Sequence, residues 1–165
     1  VMKQLVQLKD RYPSYEDFAA TNFQELLKLD NLHDNLLQVN VAASVFMENR
    51  GVEGFSMKEL PKLAQVAPIN SILVKDFNQD GNMDILVAGN DYQGESHFGR
   101  YDALNGMLLA GDGNWGFTQI TIAKSGFFAS GQTNTMITFS DRNNTNFVLL
   151  GQNNKEAKVF QWNQK

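Results

Sequence analysis

Residues 71–89 read SILVKDFNQDGNMDILVAG, and the polar stretch between the two apolar runs decides the fold. In Asp76-Phe77-Asn78-Gln79-Asp80-Gly81-Asn82-Met83-Asp84, oxygen-bearing side chains stand at loop positions 1, 3, 5 and 9, so alternate residues can turn inward together. Gly81 sits at position 6, where such a loop must turn sharply, and the carbonyl of Asn82 at position 7 can add another oxygen. Hard oxygen donors suit calcium, bound at about 2.3–2.6 Å with flexible coordination, better than magnesium with its strict octahedron. The expected cofactor is therefore Ca2+, and the expected ligands are Asp76, Asn78, Asp80, Asn82 and Asp84. An EF-hand opens the same way, but it needs a bidentate Glu at position 12 and flanking helices. Here position 12 is Val87, and the flanks Ser71–Lys75 and Ile85–Ala88 are strand-like, so the loop joins two strands of a hairpin. The alternative is a solvated acidic turn without metal, in which carboxylates gathered on nine residues would repel one another.

Outward from this hairpin the chain changes style near Asn40. After it come short runs of Val, Ile, Leu, Met and Phe, each closed by Gly, Asn or Asp, as in a turn-dense β protein. The expected strands are Ala43–Glu48, Gly54–Glu59, Ser71–Lys75, Asp84–Ala88, Met107–Ala110, Phe117–Ile122, Thr135–Phe139, Phe147–Leu150 and Ala157–Trp162. Before it, Tyr15, Phe18, Ala19, Phe23, Leu26 and Leu27 recur at helical spacing. The spacing predicts a helical stretch over Tyr12–Leu37, with Ser14 and Asp17 as a capping box, Phe18, Phe23, Leu26 and Leu27 on its packed face, and a second short helix near Asn31–Leu37. The domain division expected is a helical insertion over residues 1–40 and a β region over 41–165.

Laid over itself at an offset of 62 residues, the sequence aligns Gly51, Gly54 and Phe55 with Gly113, Gly116 and Phe117, and Ile85–Gly89 with Phe147–Gly151. A unit of this length holding about four strands points to a propeller blade more than to a sandwich, with chance alignment of common glycines as the alternative. The offset carries the loop positions onto Thr138, Ser140, Arg142, Asn143 and Asn146. Arg142 puts a positive charge where a carboxylate should coordinate, so that copy is expected to be a metal-free turn.

Composition narrows the function classes. The 165 residues, 42% hydrophobic, suffice for a real core, and 14 basic against 18 acidic residues leave a net charge of -4 with no basic cluster to track phosphates, so nucleic acid is not the expected partner. No cysteine is present, so neither a disulfide framework nor a thiolate metal site exists. No uninterrupted apolar run is long enough to span a bilayer as a helix. A targeting signal, if the protein has one, is expected outside this stretch, since no basic and then apolar leader precedes the first helical segment.

The string DFNQDGNMD followed by ILVAGN, with GRYDALNGMLLAGDGNWGF and SGFFASG after it, resembles the FG-GAP/VCBS repeat family. It is similar to the C-terminal part of large VCBS-repeat proteins of Bacteroidetes-type bacteria. The resemblance covers most of the chain; the degraded second loop, and Trp115 where a small or charged residue is usual, depart from it. It implies a mainly β fold, the arc of an integrin-like β-propeller, with calcium between the first and second strands of a blade. On that order Ser71–Ile122 is one full four-stranded blade, residues 43–59 finish the blade before it, residues 135–162 begin the blade after it, and the helical stretch is an insertion. The resemblance further implies an extracytoplasmic protein, secreted, periplasmic or attached to the cell surface, used for adhesion or assembly beside outer-membrane uptake systems.

No catalytic constellation stands out. His33 and His97 are far apart in sequence and lack a local partner, so both are expected to be surface imidazoles. The best candidate binding surface is the loop Asp91–Asn105 with Tyr92, His97, Phe98, Arg100 and Tyr101, because Tyr and Arg concentrate in interface hot spots. Its alternative is a loop folded back on its own blade, with Arg100 paired to Asp102 or Glu95. The expected function is a non-enzymatic, calcium-braced scaffold or binding module for a protein or glycan, its remaining blades supplied by the same or another chain. The alternative is an accessory segment of a secreted polysaccharide-active hydrolase.

Overall fold

The computed structural model describes residues 8–27, 37–94, 97 and 99–162. The chain divides into two compact units, residues 1–41 and residues 42–165.

In the first unit the helical stretch is broken into three short helices, α1 (Leu8–Arg11), α2 (Tyr15–Ala19) and α3 (Phe23–Leu27). Ser14 caps α2 as the sequence predicts: its hydroxyl accepts from the Asp17 amide at 3.0 Å and donates to the Asp17 carboxylate at 2.7 Å. One continuous helix from Tyr12 is not formed. Asn22 takes a cap position instead, accepting the Glu25 amide on its side-chain oxygen at 2.9 Å and starting α3 afresh, which is how Asn competes with a helix interior. Tyr12 is buried and meets Phe18 edge-on at 5.8 Å. Phe23, expected on the packed face, is 61% exposed; the break at Asn22 interrupts the helical phase that put it on one face with Phe18. Residues 31–36 of the second expected helix, His33 among them, lie outside the described residues.

The second unit is mainly β. Its nine described strands form three antiparallel sheets: β1 (Val45–Asn49) with β2 (Phe55–Glu59); a meander of β3 (Ile69–Lys75), β4 (Asp84–Gly89), β5 (Met107–Gly111) and β6 (Phe117–Ile120); and β7 (Thr133–Ser140), β8 (Asn146–Gln152) and β9 (Lys158–Trp162). No sheet is closed on itself. Every strand coincides with a stretch expected from the sequence, shifted at the ends by a few residues. β6 stops at Ile120 where Ile122 was expected, because Thr121 begins a helical turn, α4 (Ile122–Ser125), closed by Gly126 with φ of 68°.

Register places the core. In the central sheet Val87 pairs with Ile72 and Met107, and Ile85 pairs with Val74 and Leu109, so these side chains share one face. Ile85, Val87, Met107 and Leu109 on that face bury against Leu60, Ala64 and Ala67, with Phe46 of β1 packed alongside. Leu86 and Ala88 point to the opposite face and bury against Met136, Val148 and Leu150 of the third sheet, with Leu73 and Phe160 beside them. The middle strand β4 is thus buried on both faces, which explains why ILVA reads as an unbroken apolar run and not as an alternation.

Candidate metal centre

The loop between Lys75 and Asp84 is closed at its base by the β3–β4 pairing, since those two residues face each other in register. Within it the left-handed turns fall on Gln79 (φ 62°) and Gly81 (φ 89°); at Gly81 only glycine adopts that backbone without strain. The fold brings Asp76, Asn78 and Asp80 into one hydrogen-bonded group. The Asp80 amide donates to both Asp76 Oδ1 (3.2 Å) and Asn78 Oδ1 (2.9 Å), and the Gly81 amide donates to Asp76 Oδ2 at 3.0 Å. Asn78 Nδ2 donates to Asp80 Oδ2 at 2.9 Å, and the Asn82 amide donates to Asp80 Oδ1 at 2.8 Å. The Asn82 amide, followed by the Asn78 side chain, holds the Asp80 carboxyl below its usual pKa, so the group stays ionised at neutral pH.

Asp84 plays a second part that the motif does not announce. It is fully buried. Its Oδ2 accepts the amides of Phe77 (2.9 Å) and Asn78 (3.2 Å), and its Oδ1 accepts the amide of Gly111 at 3.0 Å. One carboxylate therefore ties the start of the loop to the end of β5. Gly111 is required there because a Cβ would run into the carbonyl oxygen of Met83.

The donor set fits a hard cation. It offers oxygens, and the Asp76 and Asp80 carboxylate oxygens, each accepting one N–H, keep lone pairs for a metal, whereas Asp84 Oδ2 already accepts two amides. Among the described residues no three His, Cys, Asp or Glu side chains stand close enough to hold a metal by themselves. A calcium ion at this loop would draw on the Asn78 side-chain oxygen and the Asn82 backbone carbonyl besides the carboxylates of Asp76, Asp80 and Asp84.

The expected second copy is built differently. Ser140 pairs with Asn146 just as Lys75 pairs with Asp84, so only residues 141–145 make the turn and the gapless offset of 62 breaks here. Thr138 and Ser140 lie within β7. The turn is organised by Asp141, whose Oδ1 accepts the amides of Asn143 and Thr145, both at 2.8 Å, with Asn144 left-handed at φ 61°. The β5–β6 turn repeats this plan: Asp112 Oδ1 accepts the amides of Asn114 (2.7 Å) and Gly116 (2.9 Å), and Trp115 is left-handed at φ 61°. Those two amides lower the Asp112 pKa. Trp115 stacks on Phe46 at 5.2 Å over a cleft of about 300 Å³ that Asn82 and Met83 of the acidic loop also line.

Of the loop residues proposed for binding, Tyr92 and Arg100 are brought together, the guanidinium 4.9 Å from the ring centroid. Tyr101 bridges to Asp91 through paired backbone hydrogen bonds of 2.9 Å and is half exposed. His97 is exposed and Phe98 lies outside the described residues. Among the described residues the one ion pair is Arg50–Glu48 at 3.2 Å, so Arg100 makes no salt bridge to Asp102.

Sequence reading missed Asn90. This buried side chain, on a left-handed backbone (φ 78°), donates to the carbonyls of Leu104 (2.7 Å) and Gly131 (2.9 Å) and accepts the Leu104 amide at 3.0 Å. It links the end of β4 to the approach to β5 and to the segment entering β7. An Asn directly after an apolar strand ending in Gly was the only sequence signal.

No family model matches the chain, and comparison with curated proteins and with solved structures gives no match.

Proposed function

We propose that this chain is a calcium-braced arc of an extracytoplasmic β-propeller that serves as a non-enzymatic scaffold or binding module for a protein or glycan partner at the cell surface. One observation carries the reading. The central four-stranded meander packs one face on the third sheet, while its other face is covered in part by Leu60, Ala64, Ala67 and Phe46 and stays open along β3. Ile72 and Val74 share a face with buried Ile85 and Val87, yet they are 56% and 61% exposed. Soluble proteins seldom leave β-branched residues of a core face in water, so that face calls for further strands beside β1. A stack of four-stranded meanders is what a propeller supplies.

Calcium's place in this reading is the Asp76–Asp84 loop, where it would neutralise carboxylates already interlocked and stiffen the β3–β4 hairpin. Calorimetry on the chain should give a calcium stoichiometry near one, with micromolar to millimolar affinity as in extracellular modules, and Asp80→Ala should abolish it. The absence of any calcium heat, or a stoichiometry of two, would overturn the assignment.

A further inference from the structure

The cleft beside Trp115 has a wall that its own turn does not require. The β5–β6 and β7–β8 turns share one plan, an Asp carboxylate accepting two amides around a left-handed residue, and the β7–β8 turn fills that position with Asn144, a residue type that adopts such a backbone readily. The β5–β6 turn holds Trp115 there instead, and a bulky residue at φ 61° is strained. The ring lies nearly parallel to Phe46, at 21° and 5.2 Å, and is still 52% exposed. It forms a flat platform, braced by Phe46 and open to water. Acceptors stand beside it. Asp112 Oδ1 is engaged by the turn amides, while Asp112 Oδ2 lies in the space that a Cβ on Gly116 would take, and Asn82 Oδ1 lies in the space that a Cβ on Gly113 would take. Two glycines thus make room for two acceptor side chains in the wall of the cleft.

At about 300 Å³ the cleft reaches the size of a small-molecule site. A pyranose ring has the matching chemistry, with a face of C–H bonds to lie on an aromatic ring and hydroxyls around its edge to donate to acceptors. Charge selects among sugars, since Asp112 is ionised at neutral pH and the chain carries a net charge of -4, which repels an acidic residue. An organic cation is best held by several ring faces around it. Here Trp115 covers one side of Phe46, and Phe117 packs on that same ring at 5.5 Å, so a single platform remains. We infer that this cleft binds a neutral hexose residue of a glycan, stacked on Trp115, with its hydroxyls donating to Asp112 and Asn82. The inference rests on the binding-module reading and gives that module a partner class and a site. The polar end of the cleft, at the β5–β6 turn, is separated by β4 from β3, whose exposed row calls for further strands.

The chain has two tryptophans, so Trp162→Phe leaves Trp115 as the sole indole. Its emission would be followed while cellohexaose, mannohexaose, galactohexaose and maltohexaose are added in turn. At least one should give a saturable blue shift, as the sugar face displaces water from the ring. Trp115→Asn, which places in this turn the residue type of its β7–β8 counterpart, should fold with a urea midpoint close to the parent's, because relief of the strained backbone offsets the lost ring contact. Its calorimetric affinity for the same sugar should fall at least tenfold. No emission change with any of the four sugars, sugar binding that leaves Trp115 emission untouched, or undiminished affinity in folded Trp115→Asn overturns the inference. A shift given by choline and by none of the sugars overturns it in favour of a cation site. Should Trp115→Asn fail to fold, the emission titration of Trp162→Phe decides alone. Calcium calorimetry on the same samples reports on the acidic loop independently, so a chain that binds calcium but no sugar sinks this site and leaves the calcium-braced module standing.

Discussion

At the scale of single residues, the acidic loop separates into groups with different work. Asp80 is exposed and holds only its own loop, whereas Asp84 is buried and satisfies three main-chain amides from two elements. In calcium-free buffer Asp84→Ala should therefore cost about 3 kcal/mol or more, since it orphans buried donors, while Asp80→Ala should change the urea midpoint little. Equal losses in the two variants would show that the division is wrong. Asp112 provides a pH test. Its folded pKa lies below the ordinary 3.8 because the Asn114 and Gly116 amides favour the charged form. The stability this contributes is full above the unfolded value and is lost as pH falls through the folded one. Asp112→Asn keeps an acceptor oxygen but cannot ionise, so its deficit against the parent at neutral pH should shrink towards zero as the pH falls through the folded pKa. A deficit that persists in acid would point to packing and not to charge.

At the scale of elements, short helices and strands obey different rules. α2 is five residues long and depends on its cap; Ser14→Ala should weaken it by about 1 kcal/mol, seen as faster amide exchange at Asp17 and Phe18 with little change in the β region. Phe23→Asp, by contrast, should leave the melting temperature unchanged, because that ring is already in water. Periodicity identified the apolar residues of this stretch but not which of them pack, since the break at Asn22 interrupts the helical spacing on which that reading rests. The strands were legible nearly to their ends because each apolar run is closed by Gly, Asn or Asp. Where they were misjudged, as at Ile122, a helical turn took the residues that an apolar run had suggested for a strand.

For the whole molecule, cohesion between sheets rests on apolar faces and on one buried amide. Asn90→Ala would leave the Leu104 amide and the Leu104 and Gly131 carbonyls without their partner and would put a non-favoured residue at positive φ. A loss of about 2–4 kcal/mol is expected, together with faster hydrogen exchange in β7 if the contact couples the sheets. Exchange limited to the β4–β5 connection would show that the two sheets hold together without it. The sequence alone determined the strand positions, the Ser14 cap and the oxygen-rich loop at Asp76–Asp84, because alternation, capping and ligand spacing are local properties written in adjacent residues. Only the tertiary structure decided that Asp84 also anchors β5, that Asn90 joins sheets, that the turn at Asp141 is shorter than the acidic loop and built on a different plan, and which apolar rows stay open. Each of these depends on which strands lie side by side and which faces meet, and contacts between residues far apart in the chain leave no fixed spacing to read.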